Sequence, residues 1–349
     1  MLHGGNFYGF TEDIKKELLD FSANISPLGM PDSVKQAIED EMANALHYPD
    51  PVSGRLSKAI GKKMNIDSLW VICGNGAADI VYRFVYGLKP EKAVVIHPTF
   101  VEYEEAMRCV KTQIISYDLS RKDFKIRADI LDLIDDDVDA VFICNPNNPT
   151  GVLTEKSLLL EIAAKTAQCG AWLVLDECFL DFTGREDELS LVHELQGNDR
   201  LLILKSFTKM YAIPGIRLGF GLCSNPEAIE KMRRAGQSWA VSTLAESAGI
   251  ALLDEDEYCT KVISYVDRER KFLETELEKI GVEYIHGNAN YMLIHCPGVT
   301  DLYERLLKEK VMIRTCGNYK NLDTDYYRIA INDHESNKAM IERMKKVLV

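Results

Sequence analysis

The sequence is poor in positive charge. Lys and Arg number 41 against 54 Asp and Glu, a formal net charge of −13. That balance excludes a binder of nucleic-acid backbone, which needs a basic surface to neutralise phosphates. Long apolar runs are missing too. None approaches the ~18 residues of a membrane span. The opening stretch MLHGGNFYGF has neither the basic nor the apolar region of a signal peptide, so a cytoplasmic protein is expected. The nine cysteines form no CxxC pair and the seven histidines no HxH or HExxH. A metal site is therefore not expected, and the cysteines read as small buried hydrophobes in a reducing compartment. Repeats, low-complexity segments and the dinucleotide fingerprint, GxGxxG with an acid about 20 residues on, are absent as well.

What is present is a chain of 349 residues, long enough for a large core and two domains. Its middle alternates short apolar runs with helical patterns. The expected strands are Leu69–Gly74, Ala93–Pro98, Thr112–Leu119, Ala140–Pro146, Ala171–Glu177, Leu201–Ser206 and Leu218–Cys223. Helical patterns such as Glu155–Cys169 lie between them. This predicts an α/β fold with a mostly parallel seven-stranded sheet covered on both faces. From about Thr243 the pattern changes to long helices with charged faces, and NYMLIHC and YYRIAI then suggest a smaller α+β domain. The expected division is a large domain over 40–240 and a small one from 1–39 with 241–349. The first forty residues hold loops and one helix, Asp32–Ala45. They pack on the small domain or cross to a second subunit.

Several features fall at expected strand ends, where open α/β sheets place ligands. CGNGAAD leads from strand to helix, and the N–H groups of Gly76, Ala77 and Ala78 can point at an anion. CNPNNPTG has two prolines to fix its backbone and presents Asn148. LVLDECF ends a buried strand on Asp176 and Glu177, and a carboxylate there needs a cationic partner or water. SFTKMYAIPGIRLGF holds Lys209 behind Ser206 and Thr208, with Arg217 after a Pro-Gly turn. Singly, each has an ordinary reading as a turn, a solvated strand end or a surface ion pair. Together and in this order they meet the needs of pyridoxal 5′-phosphate. Lys209 would hold its aldehyde, and Asp176 would keep the pyridine nitrogen protonated. Gly76–Ala78, Ser206, Thr208 and Arg217 would bind the phosphate. Phe100 in HPTFVEY would stack on the ring.

With these residues the chain resembles, over essentially its whole length, the fold-type I pyridoxal-phosphate enzymes of aminotransferase class I/II. Two branches are close: histidinol-phosphate aminotransferases and the L-threonine-O-3-phosphate decarboxylases of cobalamin synthesis. HGGN, DFSANISPLGMP, HYPDP, NANYMLIHC and MIRTCGNYKNLDTDYYRIAI are more similar to the decarboxylase branch. The aminotransferase branch usually has a glutamate where this chain has Ile25, and a tyrosine where it has Phe179. Without that tyrosine, Asn148 is the chief donor to the cofactor's phenolic oxygen. Ser26 replaces a common asparagine, and Cys178 replaces the usual alanine beside the ring.

The resemblance implies a homodimer with shared active sites, in which Tyr48 reaches the neighbour's cofactor phosphate. It implies substrate contacts from His3, Asn24, Asn148, Arg314 and Arg328. Which arginine takes the carboxylate and which the phosphate is left open. It implies decarboxylation of L-threonine O-3-phosphate to (R)-1-amino-2-propanol O-2-phosphate and carbon dioxide. O-phospho-L-serine remains a candidate substrate, because one methyl group gives only about 1–3 kcal/mol of discrimination. A histidinol-phosphate-type aminotransferase would use the same residues. A cofactor-binding regulator without turnover is the third reading, weakened by the lack of a basic helix-turn-helix ahead of the core and by the filled catalytic positions.

Overall fold

The computed structural model describes residues 4–348, so the expectation for His3 lies outside the described residues. A short strand, β1 (Leu19–Asp20), comes first. Seven strands then build the principal sheet: β2 (Val71–Gly74), β3 (Lys92–His97), β4 (Gln113–Asp118), β5 (Ala140–Cys144), β6 (Trp172–Asp176), β7 (Leu201–Ser206) and β8 (Gly219–Leu222). Their order is β2-β8-β7-β6-β5-β3-β4. Only β8 runs against its neighbours. The seven apolar runs of the sequence are these seven strands, with ends displaced by no more than two residues. The central strands form because helices cover both sheet faces, so inward and outward positions alike are buried, while the edge strand β4 is mostly half-buried. Every residue of β5, β6 and β7 is buried. One apolar cluster lies on each side, around Phe84 and Phe142 and around Leu173 and Ile203.

A second sheet follows, of β9 (Glu283–Ile285), β10 (Tyr291–His295), β12 (Arg314–Thr315) and β13 (Tyr326–Ala330), in the order β12-β13-β10-β9. The remaining strand, β11 (Val311–Met312), pairs in parallel with β1. That pairing carries the segment after Asp20 to the mouth between the sheets. The expected helix Asp32–Ala45 is α-helical over Asp32–Glu41 and continues as a tighter 3-10 turn over Met42–Leu46. It packs on the helix Thr243–Leu252.

The parallel strands β3, β5, β6 and β7 end at one edge of the sheet, on His97, Cys144, Asp176 and Ser206. The helix Ala77–Leu88 starts beside them. Gly219 lets β8 come close to that start, since a side-chain carbon there would lie 2.4 Å from the Ala77 nitrogen. Such a contact excludes every residue but glycine.

Candidate active site

At this edge the structure forms a cavity of about 700 Å³. Its wall includes Gly76, Ala77, Ala78, Phe100, Asn148, Asp176, Ser206, Thr208, Lys209, Arg217, Arg314 and Arg328, and the small-sheet side adds Asn24. Residues spread over the whole chain thus meet in one place. Tyr48 is not on this wall. It is 82 % exposed and stacked on Trp239 at 4.6 Å.

One end of the cavity is a cradle for an anion. Gly76 caps the helix Ala77–Leu88 at φ +83°. A side-chain carbon added at Gly76 would lie 2.6 Å from Arg217 Nη2. The guanidinium therefore sits directly over the helix N-terminus, and free N–H groups and a fixed cation converge there. Ser206 Oγ accepts from the Thr208 N–H at 3.2 Å and shapes the short helix Phe207–Met210 that carries Lys209.

Lys209 lies on the cavity wall near Cys178, Asp176, Arg217 and Arg328. Burial pulls its ammonium below the ordinary value. Cys178 and Asp176 oppose this, while Arg217 and Arg328 add to it. A lowered value makes the neutral, nucleophilic amine more available. Its Nζ lies 5.9 Å from the centre of the Phe179 ring. Lys205 is a contrast. It ends in a pocket with Glu177 at 3.3 Å, Asp181 at 3.5 Å and Glu186. Burial works against its charge, but the three carboxylates hold the ammonium above its ordinary value.

The two carboxylates at the end of β6 diverge in the same way. Glu177 has Lys205 as its cation, and also accepts from Ser190 Oγ at 2.7 Å and the Leu191 N–H at 3.0 Å. Asp176 is buried and accepts only from neutral donors, the Tyr103 hydroxyl at 2.5 Å and the Cys178 N–H at 2.9 Å. Among the described residues no Lys, Arg or His forms an ion pair with it. A buried carboxylate needs a cationic partner, and a protonated pyridine nitrogen is one. The donor set thus fits pyridoxal phosphate: an anion cradle, a desolvated lysine, a buried carboxylate and an aromatic face at Phe100.

The other end of the cavity is cationic. The β12–β13 register places Arg314 directly opposite Arg328. Like charges so placed repel, which an anionic ligand offsets. Arg328 donates to Asn148 Oδ1 at 2.6 Å and to the Ser22 carbonyl at 3.0 Å. Its Nε is buried without a hydrogen-bond partner, as is Asn24 Oδ1. Arg314 donates to the Thr315 carbonyl at 2.6 Å and Asn318 Oδ1 at 2.8 Å, and lies 5.5 Å from the centre of the Tyr319 ring. Ile25 and Phe179 give the cavity apolar wall on either side.

Sequence reasoning missed Tyr103, Tyr319 and Asp20. A tyrosine on an amphipathic helix reads as core, and only the fold brings Tyr103 to Asp176. Tyr319, buried on the cavity wall, accepts from Arg328 at 3.4 Å. Asp20 also lines the cavity, and its Oδ1 accepts from Ser22 Oγ at 2.6 Å. The place of Asp20 at the head of the DFSAN motif was the available signal.

The chain belongs to the aminotransferase class I and II family, whose profile matches residues 16–344. Pyridoxal phosphate is the cofactor of this family, as the cavity's donor set requires. A threonine-phosphate decarboxylase from Salmonella typhimurium is 36% identical over 99% of this chain and 96% of its own length. A crystal structure described as a histidinol-phosphate aminotransferase from Clostridium acetobutylicum superposes with a TM-score of 0.89 at 33% identity, covering 95% of this chain and 99% of that one. The L-threonine-O-3-phosphate decarboxylase of Porphyromonas gingivalis shares the fold, with a TM-score of 0.84 at 23% identity and coverage of 95% and 99%. No helix of the described residues is long and apolar enough to cross a membrane.

Proposed function

We propose that this enzyme is a pyridoxal-phosphate-dependent carboxy-lyase that converts L-threonine O-3-phosphate to (R)-1-amino-2-propanol O-2-phosphate and carbon dioxide, a step of cobalamin synthesis. The observation that carries this reading is the opposed pair Arg314 and Arg328 at the end of the cavity away from the cradle. Two guanidiniums suit a substrate that carries both a phosphate and a carboxylate. The similarity to the Salmonella decarboxylase supports it. So do Ile25 and Phe179, which put apolar groups where the aminotransferase branch has a glutamate and a tyrosine.

When bound, the cofactor supplies an electron sink for the pair released from the Cα–carboxylate bond. Gly76, Ala77, Ala78, Ser206, Thr208 and Arg217 would hold its phosphate. Asp176 would hold the proton at the ring nitrogen, Phe100 would cover the ring, and Asn148 would donate to its phenolic oxygen. Lys209 would hold the aldehyde and, once displaced and protonated, its ammonium would deliver a proton to the substrate Cα. Arg314 and Arg328, with Asn24 and the N-terminal His3, fix the substrate phosphate and carboxylate. Fixing the phosphate would let remote binding energy orient the carbon–carboxylate bond to be broken.

The same reading includes a homodimer in the cytoplasm. Met42, Leu46, Tyr48, Val52 and Trp239 are exposed apolar side chains, a patch suited to a second copy. Tyr48 then reaches the neighbour's cofactor phosphate. All nine cysteines are free, as a reducing compartment requires. The reading also keeps two domains, 40–240 and 1–39 with 241–349, a division that the two separate sheets support.

A second reading is an aminotransferase for histidinol phosphate, favoured by the similarity to the Clostridium structure. One assay separates them. The purified enzyme, given threonine phosphate without any keto acid, should release carbon dioxide over many turnovers. Glutamate formed from histidinol phosphate and 2-oxoglutarate, with no carbon dioxide from threonine phosphate, would overturn the decarboxylase reading.

A further inference from the structure

Tyr103 lies in the first turn of the helix Glu102–Val110, three residues after Phe100. It is 1 % exposed. Its hydroxyl donates to Asp176 Oδ2 at 2.5 Å, while the Cys178 N–H occupies Oδ1 at 2.9 Å. A hydrogen bond to a carboxylate is charge-assisted and stronger than one between neutral groups. Burial and the charge of Asp176 push the phenol well above its ordinary value, so it stays a donor. The Tyr103 ring also meets Phe100 edge-on, with centres 5.6 Å apart, and leans on Phe142 at 5.6 Å. One side chain thus touches both the aromatic face and the carboxylate that serve the cofactor ring.

We propose that Tyr103 is a positioning residue that fixes the orientation and charge of Asp176, and through it the proton at the ring nitrogen. This rests on the role given to Asp176 above. Without the hydroxyl, Asp176 keeps a single donor and is free to rotate about its side-chain bonds. A buried carboxylate with fewer donors holds its charge less well. The electron sink then weakens although every group that touches the cofactor is still present.

The test uses the holoenzyme. Tyr103→Phe keeps the ring packing and removes only the hydroxyl. It should lower kcat about ten-fold, as for loss of one charge-assisted hydrogen bond, with KM nearly unchanged. The pH midpoint of the cofactor's visible absorption should shift, and Tyr103→His, which can donate again, should recover part of kcat. In an Asp176→Asn background, Tyr103→Phe should cost little more, because coupled residues are not additive. A Tyr103→Phe enzyme with wild-type midpoint and kcat overturns the proposal, as does a loss that adds in full to that of Asp176→Asn. If Tyr103→Phe does not fold, Tyr103→Leu, which also removes the donor, carries the test, and an unshifted midpoint there overturns the proposal. Wild-type turnover by Asp176→Asn sinks the Asp176 role together with this inference. An impaired Asp176→Asn beside a wild-type Tyr103→Phe sinks this inference alone.

Discussion

Lys205 and Lys209 lie one helical turn apart in sequence and have opposite chemistry. Lys205 is 4 % exposed at its side chain and neutralises part of a carboxylate cluster. Lys209 is desolvated beside two arginines and reaches the cavity. Borohydride reduction of the holoenzyme should therefore fix the cofactor on Lys209, as read by peptide mass mapping. An adduct on Lys205 would refute the assignment. Lys209→Ala should fold normally and turn substrate over at a negligible rate. Lys205→Met should do the reverse. It leaves Glu177 buried without its cation, and breaking a buried pair costs about 3–5 kcal/mol. Denaturant unfolding should show that loss while the reduced adduct stays on Lys209. Two lysines with exchanged phenotypes would mean that the ion cluster, not the cavity, holds the reactive amine.

At the scale of elements, the site depends on how strand ends and helix starts meet. Gly76→Ala adds a side chain into the Arg217 guanidinium at a backbone angle that alanine rarely adopts. Cofactor affinity should fall about ten-fold or more, the scale of one lost charge-assisted contact, measured by reconstitution of the cofactor-free protein. Glu104 ties two other pieces to its helix. His97 at the end of β3 contacts it at 2.7 Å, and Lys320 in the loop of Tyr319 approaches it to 3.6 Å. The His97 hydrogen bond lowers the Glu104 carboxyl from its ordinary 4.5 to about 2, against desolvation. A depressed carboxylate contributes stability that is present above the unfolded value and lost as pH falls through the folded one. The Glu104 share should thus vanish between about pH 4.5 and 2. Glu104→Gln should flatten that limb of a stability-against-pH curve, and an unchanged limb would remove Glu104 from the account. The central strands were legible in the sequence because burial on both faces makes them nearly continuous apolar runs. Two-residue strands such as β12 carry no such signal, so the opposition of Arg314 and Arg328 had to come from the register. The Tyr103–Asp176 contact was hidden for a related reason, since it joins residues 73 apart in sequence. Lys209, Asp176 and Asn148 were legible because strand ends in a parallel sheet are marked by abrupt changes from apolar to polar residues.

For the whole molecule, the exposed segment around Tyr48 is the feature a single chain leaves without a role. Leu46 is 88 % exposed and Tyr48 82 %, next to the half-exposed Trp239. A lone subunit gains nothing from such a surface, whereas in the proposed homodimer a second copy would bury it and bring each Tyr48 to the other's cradle. The protein should sediment as a homodimer at assay concentration. Sharing of sites is tested by mixing Tyr48→Phe subunits with Lys209→Ala subunits and verifying exchange. If Tyr48 serves its own chain, each site of the heterodimer carries one lesion, and activity stays below that of the Tyr48→Phe parent. If Tyr48 serves the neighbour, one site carries both lesions and the other neither. The heterodimer should then regain about half the wild-type rate. This lies above both parents if loss of the phenol's charge-assisted bond to phosphate costs about ten-fold. No recovery after verified exchange would mean that each site is completed within one chain, and that the exposed aromatic pair serves the dimer contact alone.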